Sequence, residues 1–261
     1  MSDLATTARV VRALGARSIR QTFRRPQLIS PIVVFPTLLL VVQTGGASAG
    51  VELPGFPPVQ SFLQFMLAGA MMQSMMLAGN SGGIALAVDI EMGFTDRLFA
   101  APIPRFAIVL GRLAGTAALG LFAAIWFFAI GIVFGAEIEA GVPGVLLATA
   151  LVTASALAVG GIGAAIALRS GSASVVQGLF PLVLVVLFLS SAFFPQELMI
   201  EPAKTIAEYN PLSFIVEGVR EPIISGIDAT QTLEAVAAIL GIVVLGLVLS
   251  ARALRHRLRV G

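Results

Sequence analysis

Stretches without a single charged residue are the feature that most limits what this 261-residue chain can fold into. Six windows contain no Asp, Glu, Lys or Arg, namely 26–51, 53–88, 113–136, 140–168, 170–196 and 235–251. A helix needs at least about 17 apolar residues to cross the hydrocarbon core of a bilayer, and every window is that long. Charged residues make up 11% of the chain, whereas a soluble domain has about 25%. The sequence therefore predicts an integral membrane protein.

The windows predict helices and not the strands of a membrane barrel, because their apolar residues are continuous and do not alternate with polar ones. The predicted fold is all-α, a single membrane domain over 1–261 with six transmembrane helices. A cleavage-like run, Ala47-Ser48-Ala49, follows the first apolar stretch, but a stem of 25 residues is long for a signal peptide, so we expect the first helix to be retained. The predicted spans are 26–44, 62–88, 113–134, 143–168, 174–194 and 234–251.

The basic residues indicate how the chain is oriented, since Lys and Arg accumulate in cytoplasmic segments. Six spans with both termini in the cytoplasm place 14 of the 16 basic residues on the inner side and leave only Lys204 and Arg220 outside. The opposite orientation would put those 14 charges on the wrong face. We expect a multi-pass protein of the plasma membrane.

The stem of residues 1–25 is predicted to be an amphipathic helix in the membrane interface. Anionic lipids of the cytoplasmic leaflet attract such a basic surface, so membrane lipids, and not nucleic acid, are the expected partners of its charge. A basic flank with no role of its own is the alternative. Five arginines share one side of the helical wheel, namely Arg9, Arg12, Arg17, Arg20 and Arg24.

The segment 195–232 is predicted to lie on the outer side, before the last span. It carries most of the external acidic residues and also apolar clusters such as Leu212–Val216, which a fully solvated loop would not need. We expect short amphipathic or re-entrant helices here. Prolines are expected to break them at Pro195, Pro202, Pro211 and Pro222.

The residue inventory excludes several kinds of chemistry. Lys204 is the only lysine and lies in no glycine-rich P-loop, so the chain is not expected to hydrolyse ATP by that route. With no cysteine and one histidine, His256, a zinc site is not expected either. The spans lack the Asp, Glu, Lys or His that a proton or ion relay uses. We expect no catalytic residue, metal or cofactor, and energy for any transport must come from elsewhere.

A cytoplasmic run between the second and third spans carries a family resemblance. It reads Glu91-x-Gly93-x-x-Asp96-Arg97-Leu98, then Ala101-Pro102-Ile103-Pro104-Arg105 and Gly111-Arg112. This run resembles the cytoplasmic signature of type-2 ABC exporter permeases, which include the daunorubicin-resistance-like drug exporters and the polysaccharide exporters. The pattern Pro211-Leu-Ser-x-x-x-Glu-x-x-Arg220 ahead of the last span also resembles this family.

The resemblance implies that segment 89–106 acts as a coupling helix, docked in a cleft of a separate cytoplasmic ATPase that binds the ATP. An ordinary polar turn between two helices is the alternative. The charged residues would supply contacts to the ATPase, and the prolines would stiffen the return to the third span. The candidate coupling residues are Asp89, Glu91, Gly93, Asp96, Arg97, Pro102, Pro104 and Arg105.

A permease with six helices is expected to need a second copy or a sister subunit to enclose a pathway. The expected substrate is a hydrophobic or amphipathic molecule, a drug or a lipid, because the spans offer apolar surface without fixed charge. A lipid-linked polysaccharide or a glycolipid is the alternative substrate, and a secondary carrier or a non-transporting scaffold is the alternative from another class. Candidate path residues, with core packing as their alternative role, are Met72, Gln73, Met75, Met76 and Asn80.

Overall fold

The computed structural model describes the backbone of residues 2–94 and 105–260 and the side chains of 7–94 and 111–253. All regular structure in these ranges is helical, which confirms the all-α prediction. Short 3₁₀ turns at Ser48–Glu52 and Gln196–Leu198 join the longer elements. The α-helices are α1 (Ser2–Phe23), α2 (Pro26–Ala47), α3 (Phe62–Glu91), α4 (Arg105–Val133), α5 (Gly141–Ser170), α6 (Ala173–Gly178), α7 (Phe180–Phe188), α8 (Ala203–Tyr209), α9 (Pro211–Ile224) and α10 (Ala229–Val260).

Several of these helices have the length and composition of membrane spans, as expected for a polytopic membrane protein. Each has a long window of high hydropathy with few charged residues. Because each is a helix, its backbone hydrogen bonds are made within the segment, as lipid requires. In the described part of the chain the segments of this kind are five, namely Pro26–Glu52, Phe62–Glu91, Gly111–Val133, Gly141–Ser170 and Ala229–Ala253.

The segment predicted as the fifth span, 174–194, is not one continuous helix. It forms the short helices α6 and α7, which meet at Gly178 and Leu179. Pro181 lies in the first turn of α7, where its missing N–H cannot continue the helical ladder from α6. Gly178 adds the low helix propensity of glycine at the same point. Whether this broken helix completes a sixth crossing stays a prediction.

Helix α3 forms the centre of the molecule. The most apolar stretch of α3 is buried throughout, and α2, α4, α5 and the broken span α6–α7 pack around it. Glycines allow α3 and α5 to approach each other closely. A Cβ placed on Gly83 of α3 would lie only 2.8 Å from the Cα of Gly163 in α5, so a larger residue would not fit without a shift of the helices. Small residues at such crossings are the usual means of packing helices in a membrane.

Helix α1 lies against the N-terminal half of α4. Ser18 donates a hydrogen bond to the backbone oxygen of Arg112 at 3.0 Å, and Gly115 of α4 leaves room for Ser18 and Thr22 of α1. The arginine side predicted from the helical wheel faces away from this contact, since all five of its arginines are exposed. The structure therefore gives α1 the polarity that an interfacial helix requires.

The outer segment 195–232 contains α8 and α9. Pro211 begins α9, and Pro202 directly precedes α8, as predicted. The predicted break at Pro222 is wrong, because α9 continues through Pro222 to Ile224. Pro222 lies in the last turn of α9, where its missing N–H removes one hydrogen bond without ending the helix at that residue. Helix α9 buries its apolar face against α3, α5 and α10.

Candidate coupling and transport sites

Asp89 lies in the last turn of α3 and is almost completely buried. Its carboxylate forms an ion pair with Arg112 of α4. The Arg112 guanidinium also donates to the backbone oxygen of Ala85 at 2.7 Å and to Oε1 of Gln21 in α1 at 3.2 Å. One buried ion pair therefore joins α1, α3 and α4 where the predicted coupling segment begins.

Glu91 is exposed at the end of α3. Its Oε1 accepts a hydrogen bond of 2.8 Å from the backbone N–H of Ala173, the first residue of α6. Free N–H groups at the start of a helix favour a carboxylate partner. Glu91 therefore links the start of the predicted coupling segment to the start of the broken span.

Gly93 sits in the turn that ends α3. Its φ of +66° lies in the left-handed region, which glycine adopts without the Cβ clash of other residues. The next residue, Phe94, packs against α1, because the Arg17 guanidinium carbon lies 3.9 Å from the centre of the Phe94 ring. Helix α1 therefore touches the chain where the coupling segment leaves α3.

The structure describes only part of the remaining coupling segment. Asp96, Arg97, Pro102 and Pro104 lie outside the described residues, and Arg105 is described only as the backbone start of α4. The docking role of all eight candidate residues stays a prediction.

An apolar cavity of about 340 Å³ lies beside α3, between α5, the broken span, α9 and α10. Met76 and Asn80, two of the predicted path residues, line it from α3. Asn80 is the only polar side chain of the lining, and its amide has no hydrogen-bond partner in the described part of the chain. The other lining residues are Val159, Ile162, Gly163, Ile166, Val176, Leu179, Val183, Val186, Pro211, Leu212, Ile242 and Leu245.

The other three predicted path residues do not line this cavity. Met72 and Met75 are fully buried in the main core cluster. Gln73 is also fully buried, and neither atom of its amide finds a partner in the described part of the chain. A buried amide without a partner loses its hydrogen bonds to water, which costs about 1–3 kcal/mol. The structure thus brings Met76 and Asn80 to one cavity and leaves Gln73 in the packed interior of α3.

Arg220 forms a second buried polar cluster on the predicted outer side. The Arg220 side chain of α9 pairs with Glu217 at 2.6 Å and donates to the backbone oxygens of Ser191 and Ala192 at 2.8 and 3.1 Å. Its guanidinium carbon lies 4.0 Å from the Phe65 ring centre. Arg220 is 3% exposed, so these partners replace the water that a guanidinium would otherwise bind.

The same cluster holds the turn that follows α7. Ser213 accepts a hydrogen bond from the backbone N–H of Ser191 at 3.1 Å, and the Ser191 hydroxyl donates to Glu217. Asn210 donates to the backbone oxygen of Val186 at 2.7 Å. Its side chain also accepts from Leu212 and so caps α9. The N-terminal half of α9 therefore fixes the outer end of the broken span.

Sequence reasoning did not include Arg112 or Arg220 among the site residues. Both residues close motifs that were noticed, Gly111-Arg112 in the cytoplasmic run and Glu217-x-x-Arg220 in the outer segment. The available signal was a basic residue at the edge of an apolar stretch, where an unpaired charge is costly. The partner of Arg220, Glu217, stands in the same motif, whereas the partner of Arg112, Asp89, lies on another helix and was not evident from the sequence.

These sites belong to a helical membrane protein with a central buried helix, an apolar cavity and a polar cluster at either end. Residues 9–224 match the family model described as ABC-2 type transporter, and the chain belongs to this family. It is therefore a multi-pass membrane protein and the transmembrane subunit of an ABC transporter, in which a separate ATPase hydrolyses the ATP.

Curated relatives carry the names of transport permeases. The chain is 28% identical over 200 residues to the daunorubicin resistance ABC transporter permease protein DrrB1 of Streptomyces coeruleorubidus, covering 75% of this chain and 68% of the relative. It is 27% identical over 212 residues to ycf38 of Porphyra purpurea, covering 80% and 72%. The ycf38 protein of Pyropia yezoensis is 26% identical over 218 residues, with the same coverage. These names bear out the predicted resemblance to the ABC exporter permeases.

Proposed function

We propose that this permease moves a hydrophobic or amphipathic substrate, a drug or a lipid, outward across the plasma membrane. An ABC ATPase binds at segment 89–106 and supplies the energy. A second copy of the chain or a sister permease completes the pathway. The relative DrrB1 is named for resistance to daunorubicin, which supports an amphipathic drug as the substrate.

The apolar cavity beside α3 is the observation that carries this proposal. Its apolar lining favours a ligand through the hydrophobic effect, which gives about 25 cal/mol for each Å² of apolar surface removed from water. The free amide of Asn80 offers one hydrogen-bonding group to such a ligand. No charged side chain lines the cavity, so a fixed charge on the buried part of the ligand would be unfavourable.

The broken span gives a physical route from ATPase to cavity. Val176 of α6 and Val183 of α7 line the cavity, and Glu91 holds the first residue of α6. A displacement of the coupling segment would reach α6 through Glu91 and change the cavity walls. A short helix joined at Gly178 moves more easily than one continuous span, because Pro181 has no N–H and removes one hydrogen bond from the ladder at this point.

The test is transport of daunorubicin by the full permease, reconstituted in lipid vesicles with the ABC ATPase that co-purifies with it. Ile162→Trp fills the cavity with a larger side chain. We expect its KM to rise about tenfold or more, because the larger side chain occupies the ligand site and overpacking there costs about 1–3 kcal/mol. Complex formation with the ATPase should stay unchanged. The matched control is Ile125→Trp in α4, where the side chain is 56% exposed.

Equal transport by the wild type and by both tryptophan variants would contradict the cavity as the substrate site. Transport of a lipid-linked polysaccharide, with no effect of daunorubicin on ATP hydrolysis, would favour the alternative substrate. Transport driven by an ion gradient without nucleotide would contradict the proposed ATP-driven mechanism.

A further inference from the structure

Four arginines at the junction of α1 and α2 surround one groove, which we call the arginine groove. Its volume is about 480 Å³. Arg17 and Arg20 lie one turn apart on α1, Arg24 follows its last residue, and Arg25 directly precedes α2. The complete lining is Ala13, Ala16, Arg17, Arg20, Gln21, Arg24 and Arg25.

No carboxylate of the described side chains neutralises this groove. The ion pairs among those side chains are Asp89 with Arg112 and Glu217 with Arg220, and neither involves a groove arginine. Asp3 and Asp96, two further cytoplasmic acidic residues of the sequence, lie outside the described side chains. Like charges this close repel one another, so the groove gains stability from a bound anion.

Gln21 adds to the donor character of the groove. Its Oε1 already accepts a hydrogen bond from Arg112, which can only donate. The free end of the Gln21 side chain is therefore the amide nitrogen, a donor. All five polar side chains of the lining consequently offer N–H groups, which suits a ligand made of anionic oxygens.

The groove lies where a lipid headgroup would be. Arg25 directly precedes Pro26, the first residue of the first apolar span. Beside it, Ile19 and Phe23 of α1 expose 39% and 42% of their surface. A basic groove next to exposed apolar side chains, at the start of a span, fits a molecule with an anionic head and an apolar tail.

We propose that the arginine groove binds the phosphodiester of an anionic phospholipid in the cytoplasmic leaflet. The planar guanidinium groups match phosphate oxygens with paired hydrogen bonds, and the negative surface potential of that leaflet concentrates the ligand. Since α1 also contacts α4 and Phe94, the bound lipid would hold α1 in place beside the coupling segment. The site is independent of the transported substrate.

The test measures phosphatidylglycerol binding to the purified full-length permease, with phosphatidylcholine as the zwitterionic comparison. Retained lipid is counted by native mass spectrometry across a titration. The double variant Arg20→Gln, Arg24→Gln removes two groove charges. We expect its apparent affinity for phosphatidylglycerol to fall at least about tenfold, since two charge-assisted contacts are lost. The matched control is Arg9→Gln, Arg12→Gln, which removes the same charge from α1 outside the groove and is expected to bind like the wild type.

Three results would overturn the proposal. An equal loss of affinity in both double variants would show general attraction to a basic helix. Equal binding of phosphatidylcholine by the wild type would remove the requirement for an anion. Displacement of the lipid by inorganic phosphate at millimolar concentration would assign the groove to a soluble phosphate. If the groove variant does not elute like the folded wild type, the single variant Arg20→Gln is titrated instead, and unchanged affinity there contradicts the site.

Discussion

At the scale of single residues, the buried ion pair of Asp89 and Arg112 decides how three helices meet. Such a pair adds little net stability, because both charges are taken out of water, but removal of one partner leaves the other charge uncompensated. Arg112 would then keep only its bonds to Ala85 and Gln21. The pair therefore ties the position of α1 to the C-terminal end of α3 and the N-terminal part of α4.

Asp89→Ala is accordingly expected to lower the free energy of unfolding by about 3–5 kcal/mol. The double variant Asp89→Ala, Arg112→Met should recover most of this loss, because it leaves no unpaired charge. Unfolding in mixed detergent micelles measures both. Glu208→Ala, at an exposed position of α8, is the control and should change stability by less than about 0.5 kcal/mol. A double variant as unstable as Asp89→Ala would contradict this account.

At the scale of elements, the broken span α6–α7 is held at both ends by side chains from other helices. Glu91 binds its N-terminal start, and α9 binds the turn after its C-terminal end through Ser213, Glu217 and Arg220. Its middle is interrupted at Gly178 and Pro181. A span interrupted in its middle can respond to movement of either end, whereas α3 is one continuous helix whose most apolar stretch is buried throughout.

Substitutions of Glu91 separate its hydrogen bond to α6 from its charge. Glu91→Gln keeps an oxygen that accepts from Ala173, whereas Glu91→Ala removes it. If the hydrogen bond couples α6 to the ATPase, Glu91→Ala should reduce substrate-stimulated ATP hydrolysis about fivefold, the equivalent of a lost helix cap of about 1 kcal/mol, and Glu91→Gln should retain most activity. Equal loss in both variants, together with weaker ATPase binding, would instead assign Glu91 to charged docking.

At the scale of the whole molecule, the two polar clusters and the cavity form one sequence of contacts from the predicted cytoplasmic side to the predicted outer side. Segment 89–106 leads through Glu91 to α6, the cavity walls lead to α7, and α9 closes the outer end. If this path carries the transport cycle, the turn at Ser191 must move relative to α9 when substrate leaves. The absence of cysteine from the chain makes this directly testable.

A Ser191→Cys, Ser213→Cys pair places two thiols where the Ser213 hydroxyl now accepts from the Ser191 backbone. Cross-linking this pair should reduce transport to background, and reduction of the cross-link should restore it. The control pair is Ser172→Cys, Ser174→Cys, whose hydroxyls lie 2.8 Å apart within one segment, and its oxidation should leave transport unchanged. Full transport with the first pair cross-linked would contradict movement at this point.

The helices of this protein were largely predictable from the sequence. Uncharged windows fixed the positions of the long apolar helices, because an isolated charge in lipid is costly and every backbone group must be paired there. The same rule obscured the break at Gly178 and Pro181, since hydropathy measures the apolar character of 174–194 and not its hydrogen-bond continuity. The break predicted at Pro222 was wrong because the effect of a proline depends on its position in the helix. In the last turn of α9 it removes one hydrogen bond but does not end the helix at that residue.

The sequence by itself determined the class of the protein, since charge scarcity and motif order are properties of the chain alone. The tertiary structure decided which candidate residues share a site. It paired Asp89 with Arg112, placed Met76 and Asn80 at a cavity while Met72 and Met75 filled the core, and brought Arg220 to the turn at Ser191. These contacts depend on how helices distant in sequence cross, and helix crossings are set by the packing of whole surfaces and not by a local pattern.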